Sequence, residues 1–388
     1  MEDLEKKRLE GFERVFGAPP TLRVSAAGRI NLIGEHVDYC GGKVFPASLN
    51  LCCTVYARPN GTGIVNVYAD DLDENARLEI GKIADYKHLK WGRYQAGVAY
   101  VLAQAGYPLV GCDLYYSCTV PFGSGLSSSA AIEVATAVAL NEIAGTPYDL
   151  KEMALLSQKA ENEYCGVSCG IMDQFASAMG KKDKAILLDC KTLDYEYVPF
   201  ALGDCELIVA NCNKPHSLVE SKYNERRAET DAALAKLREV YPQITCLAEV
   251  TPAMFEEAKG VLEGKIRDRA EHVVYECARV GEAAEAMRAG DVEKLAALIN
   301  ASHDSLSKLY EVTGREPDAL AYAARRQPGC LGSRMIGAGF GGCTISIVKK
   351  ECAAAFKAQV GIEYQRETGY AASFYDTSIE DGVTVSRL

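Results

Sequence analysis

The chain has 388 residues and a formal net charge of −11, with 42 Lys and Arg against 53 Asp and Glu. The length leads us to expect two domains, each with its own core. The acidic balance argues against nucleic acid as a partner, and the lack of an apolar run of about 18 residues argues against a membrane span. Fifteen scattered cysteines, an odd number with no CxxC spacing, sit in a chain whose opening MEDLEKKRLEGFERVFG has no apolar leader. They read as buried small hydrophobes in a reducing, cytoplasmic setting, not as a disulfide framework. Even the Cys165 and Cys169 pair is a weak metal candidate.

After that charged, amphipathic opening, residues 22–26 and 43–57 are rich in Val, Leu, Thr and Cys and read as strands, as do the alternating 63–69 and 111–120. Residues 92–106 and 127–144 read as helices, and Asp149 with Glu152 makes a capping box for a helix through about Tyr164. KAILLDC (184–190) and ELIVANCN (206–213) have buried-strand patterns. From about 217 to 325 the pattern is mostly helical. Residues 330–348 then read as two strands around a glycine-rich turn, before a helix at 350–360 and strands near 371–376 and 382–387. The fold class is α+β, with a strand-rich first half (1–200) and a helix-plus-sheet second half (201–388).

The run PFGSGLSSSAAIEVAT, 121–136, carries the strongest chemical signal. Gly123, Ser124, Gly125, Leu126 and Ser127 form a small-residue loop, and Ser128, Ser129 and Ala130 open a helix. Such a loop lets backbone approach a ligand, and the unpaired N–H groups of the first helical turn attract phosphate. No Gly-Lys-Ser/Thr follows, so it is not a Walker loop; the plain alternative is a serine-rich N-cap. Asp173 stands in CGIMDQF among Ile171, Met172 and Phe175, a setting that is costly for a carboxylate unless it is paired, or else an N-cap. Glu35, His36 and Asp38 lie within four residues in a glycine-bounded loop, without the helical spacing of a zincin. Glu161, in QKAENEY, could be a solvated helix face, and Trp91, the single tryptophan, could be core.

Three segments, GRINLIGEHVDYCGG (Gly28–Gly42), the GLSSSAA loop and GSRMIGAGFGGC (Gly332–Cys343), occur in an order and at separations that resemble the galactokinase branch of the GHMP small-molecule kinases. CGIMDQF, SKYNERR (Ser221–Arg227) and SHDSLSKLYEV (Ser302–Val312) extend the resemblance over nearly the whole chain. It implies a two-lobed kinase that moves phosphate from ATP to the anomeric hydroxyl of α-D-galactose, with Mg²⁺ as cofactor, as a monomer or weak homodimer. Asp173 then accepts or orients the hydroxyl proton with Arg29 as its partner, and Ser129 and Glu161 hold Mg²⁺. Glu35, His36, Asp38, Asp173, Tyr223 and the backbone at Gly170 meet the sugar, and the loop 123–130 with Trp91 meets ATP. The glycine turn 337–343 packs beside the phosphate loop.

Three departures from the family pattern each remove a hydrogen-bonding side chain: Val37 and Cys40 stand where Thr and Asn are common, and Ile336 where Thr is common. They put sugar choice in question more than catalysis. The alternatives are a kinase for N-acetylgalactosamine or another sugar, and a non-catalytic galactose and ATP sensor. Ser129-Ala130 and Asp173 speak against the sensor.

Overall fold

The computed structural model describes residues 2–214 and 219–388. The helical expectation at 217 and 218, and the side chain of Ser221, lie outside what is described. Among the described residues the strands form three sheets. The largest runs Val383–Arg387, Leu22–Asn31, Pro46–Pro59, Cys112–Cys118, Ile64–Ala69, Glu74–Glu79. It is antiparallel except where Ile64–Ala69 lies parallel to Cys112–Cys118. Helices Gly92–Gln104, Ser128–Ala144, Leu150–Lys159 and Met172–Met179 pack together and against this sheet through Val24, Val55, Val98, Ala131, Val134 and Phe175, all at most 1% exposed. A four-stranded antiparallel sheet, order Cys330–Met335, Cys343–Lys349, Cys205–Asn211, Ser373–Tyr375, and the helices from Val219 onward complete the α+β architecture.

Two local features position the cleft. Strand Leu22–Asn31 shifts register between Ala27 and Arg29, where it passes under the phosphate loop. A Cβ on Gly28 would sit 2.7 Å from the Leu126 carbonyl, to which the Arg29 N–H donates at 3.0 Å. The second feature is a π-helical turn, Ala160–Cys165, that continues helix Leu150–Lys159. The single α-helix expected through Tyr164 is therefore cut short, and the wider turn buries Glu161.

The capping box at Asp149 is only half formed. Asp149 accepts from the Glu152 N–H, but the Glu152 carboxylate takes the Tyr107 hydroxyl at 2.7 Å instead of returning to the cap. Helix Glu2–Phe16 and strands Glu74–Glu79 and Tyr195–Pro199 were not marked as elements by the sequence pattern. Both strands are mostly exposed and carry little alternation.

Candidate active site

A cleft of about 600 Å³ opens between the phosphate loop, the loop that carries Glu35, His36 and Asp38 (the sugar-motif loop), the π-helical turn and the glycine turn. The phosphate loop forms its floor. Gly123 and Gly125 have φ of +65° and +75°, and Ser127, the N-cap of helix Ser128–Ala144, has φ +63°. A serine there ordinarily caps its helix. Ser127 makes no cap hydrogen bond; its hydroxyl donates to Asp173 Oδ2 at 2.5 Å. The first-turn N–H groups are thus left without a side-chain cap at the positive end of a 17-residue helix.

Asp173 lies in the first turn of helix Met172–Met179, whose N-cap is Ile171, so it is not an N-cap itself. Arg29 grips it bidentately, Nε to Oδ1 and Nη2 to Oδ2, both at 2.8 Å, and its Nη1 donates to the Gly125 carbonyl at 2.6 Å. The Arg29 side chain is 3% exposed and the Asp173 side chain 30%, so the carboxylate is the member of the pair that faces the cleft. Burial opposes the Arg29 charge, but Asp173, Glu35 and Asp38 outweigh it and its pKa is raised.

Behind Asp173 lies a second carboxylate group. Gln174 Nε2 donates to Glu161 Oε2 at 2.6 Å and to Glu133 Oε2 at 3.0 Å. Burial, then the charge of Asp173, lifts Glu161 to about 6, against hydrogen bonds from Cys169, Ser129 and Gln174. Burial and Glu161 raise Glu133 well above the carboxylate range, and its Oε1 has no partner among the described residues. Glu161 and Ser129, hydrogen-bonded to each other, offer the oxygen donors that a hard divalent cation prefers.

The sugar-motif loop faces these groups. Asp38 is raised to about 7, first by burial and then by Asp173. It lies against Gly170, where a Cβ would stand 2.1 Å from Asp38 Oδ2, so only glycine fits. Glu35 Oε1 accepts from the Gly337 N–H at 2.7 Å and lies 3.2 Å from Arg334 Nη2. His36, at φ +59°, has both ring nitrogens engaged, with the Ala338 carbonyl at 3.2 Å and the Tyr39 hydroxyl at 2.8 Å. Burial drives its pKa down to about 3, so the ring is neutral. The ring of Tyr223 stands 5.3 Å from His36 and 5.4 Å from Tyr39. The glycine turn packs on the phosphate loop as anticipated: a Cβ on Gly337 would lie 2.7 Å from the Gly125 carbonyl.

Arg29, Glu35, His36, Asp38 and Tyr223 thus line one cleft with Gly170, Asp173 and Glu161, and with Gly123, Gly125, Ser127, Ser128 and Ser129. Four expected residues do not line it. Leu126 and Ala130 are buried in the core, Ser124 donates to the Pro121 carbonyl at 2.7 Å, and Trp91 donates to Glu74 at 2.5 Å. Val37, Cys40 and Ile336 are also buried away from the cleft, so these departures remove no side chain from its wall. Sequence pattern alone does not single out Tyr94 or 90%-exposed Phe122, which line the cleft, nor Arg334, which stands behind Glu35; Cys169, weighed there only as a metal ligand, lines the cleft as well. Phe122 lies within the run 121–136 and Tyr94 three residues after Trp91; Arg334 gave no signal beyond its place in GSRMIG.

Three family models match parts of the chain. The GHMP kinases N terminal domain matches residues 93–181, the GHMP kinases C terminal matches 283–366, and the galactokinase galactose-binding signature matches 10–59. Fold and cleft define a GHMP small-molecule kinase. The chain is 41% identical to a galactokinase of Exiguobacterium sibiricum over 96% of its length and 95% of the relative's. It is 45% identical to one of Lactobacillus helveticus, over 92% of both chains. The structure of Lactococcus lactis galactokinase complexed with galactose superposes with a TM-score of 0.93 at 41% identity, covering 98% of this chain and 99% of that one. The chain belongs to the galactokinase family. The mevalonate kinase of Methanococcus jannaschii shares the fold, with a TM-score of 0.64 at 16% identity over 93% of this chain and 99% of that one.

Proposed function

We propose that the protein transfers the γ-phosphoryl group of ATP to the anomeric hydroxyl of α-D-galactose, giving galactose 1-phosphate and ADP. The observation that carries this reading is the cap serine turned away from its helix: Ser127 serves Asp173, and the helix N-terminus is left for phosphate. Phosphoryl transfer is mostly positioning and charge stabilisation. In our reading, Asp173 receives the sugar hydroxyl on a carboxylate whose orientation is fixed by three donors from Arg29 and Ser127. Arg29 acts through Asp173 and the Gly125 carbonyl, tying the acceptor side to the phosphate loop.

Asp38, Tyr223 and the Gly170 backbone form the sugar wall, with Glu35 and His36 framing it. Mg²⁺ would be held by Ser129 and Glu161 and would neutralise charge on the phosphate oxygens. Such an enzyme works where ATP, Mg²⁺ and reduced thiols coexist, which favours the cytoplasm, and we take it to be a monomer or weak homodimer there. Among the described residues no helix is long and apolar enough to cross a membrane. We place the boundary between the two lobes near residue 200.

A coupled assay of ADP release against galactose, N-acetylgalactosamine and glucose tests the proposal. We expect galactose to lead N-acetylgalactosamine by at least about tenfold in kcat/KM, because an N-acetyl group needs volume and a partner for its amide. No galactose-dependent ADP release contradicts the function. Equal or faster turnover of N-acetylgalactosamine overturns the choice of sugar.

A further inference from the structure

Ser302 and Ser305, in the segment SHDSLSKLYEV, stand outside the cleft lining. They lie in helix Val292–Ser305, which packs on helix Gly264–Ala289. That second helix carries His272, Glu276 and Val280 four residues apart, on one face. The face meets the sugar-motif loop at Gly34 and Glu35. The Gly34 N–H donates to Glu276 Oε1 at 2.9 Å, and His272 Nε2 lies 3.1 Å from the Glu35 carbonyl. Gly34 has φ +100°, and a Cβ there would stand 2.9 Å from Val280 Cγ2 and 3.0 Å from the Lys43 carbonyl.

The two serines close the arrangement from outside. Ser302 Oγ donates to the same Glu276 Oε1 at 2.5 Å, and Ser305 Oγ lies 2.8 Å from His272 Nδ1. A carbonyl can only accept, so His272 Nε2 carries the proton and Nδ1 accepts from the Ser305 hydroxyl. The other oxygen of Glu276 takes Arg279 Nε at 2.7 Å. Glu35, His272, Glu276, Ser302 and Ser305 are all buried, so water does not compete for these bonds.

We propose that His272 and Glu276, each set by a serine of the neighbouring helix, are positioning residues for sugar recognition. They clamp the Gly34 N–H and the Glu35 C=O, the two ends of that residue pair, which fixes how Glu35, His36 and Asp38 meet the sugar. The inference rests on reading the cleft as a sugar kinase site. None of the four side chains hydrogen-bonds the phosphate loop, so the clamp acts on the sugar and not on ATP.

The test is the Ser302→Ala/Ser305→Ala double variant with His272→Ala and His272→Gln, read by steady-state kinetics and by calorimetry of galactose binding. We expect the double variant and His272→Ala to raise both KM and Kd for galactose about fivefold or more, the scale of one lost hydrogen bond, with KM for ATP within about twofold. His272→Gln, whose amide N–H can still reach the Glu35 carbonyl, should recover part of the loss. Galactose KM and Kd within about twofold of wild type, with only the melting temperature lowered, would overturn the clamp and leave these residues merely structural. If His272→Ala does not fold, the serine double variant decides. If wild type binds galactose but does not phosphorylate it, the kinase reading fails while Kd still judges the clamp.

Discussion

The two loops that face each other across the cleft are both glycine-rich and both hold a non-glycine residue at positive φ, Ser127 in one and His36 in the other. They use their polar groups in opposite ways. The phosphate loop turns its cap serine onto Asp173 and leaves backbone N–H groups for a ligand. The sugar-motif loop has most of its groups already committed: Glu35 to Gly337 and Arg334, His36 to Ala338 and Tyr39, and its backbone to His272 and Glu276. A dense run of polar side chains is therefore not a count of ligand contacts, and Asp38 is the acid of that motif left to read a hydroxyl.

The largest expected effect falls on the open side of this comparison. Asp173→Asn is nearly isosteric, and should lower kcat by about 100-fold or more while galactose affinity by calorimetry stays near wild type. Turnover within a few-fold of wild type would remove Asp173 from the chemistry. Next, Glu161→Ala should raise the Mg²⁺ concentration for half-maximal rate by roughly tenfold or more, without changing galactose binding to the free enzyme. A magnesium titration that overlays wild type would return Glu161 to a structural role.

On the committed side, Glu35→Ala and Asp38→Asn should separate. Glu35→Ala strips the fully buried Arg334 of its ion-pair partner and should cost about 3–5 kcal/mol of stability by denaturant unfolding. Asp38→Asn removes a carboxylate whose charge burial already opposes, lifting it to about 7, and should leave stability nearly unchanged while raising the KM for galactose. Equal losses of stability would erase the contrast between the two acids.

The smallest effect is in pH dependence. Burial lowers His36 to about 3 and His272 to about 4, from an ordinary value of 6.5. Below pH 6.5 the unfolded chain takes up protons that the folded rings refuse, so both rings contribute stability that is lost as pH falls from 6.5 toward 4. The melting temperature of His272→Gln should fall less steeply over that interval than that of wild type. Parallel profiles would mean that His272 does not stay neutral in the fold.

Much of this was legible in the chain because glycines and serines in fixed order state backbone requirements directly. The phosphate loop, the Gly170 contact and the glycine turn were all marked by small residues, and they converge on one cleft. The π-helical turn at Ala160–Cys165 was not legible, since AENEY has ordinary helical composition and the wider turn is set by packing. Arg334 and the clamp of His272 and Glu276 were hidden for a different reason. They lie more than 200 residues from the loop they hold, and only the fold brings them to it. Trp91 shows the reverse case: it is the residue singled out in WGRYQAGV, yet Tyr94 of that run lines the cleft while the tryptophan pairs with Glu74.

The most direct test of the proposed function is the position of the phosphate in the product. Wild-type protein, ATP, Mg²⁺ and galactose would be followed by phosphorus NMR with proton coupling. The account predicts a single sugar phosphate, α-galactose 1-phosphate, appearing in step with ADP. Phosphate on any other hydroxyl, or ADP formed without a sugar phosphate, would contradict it.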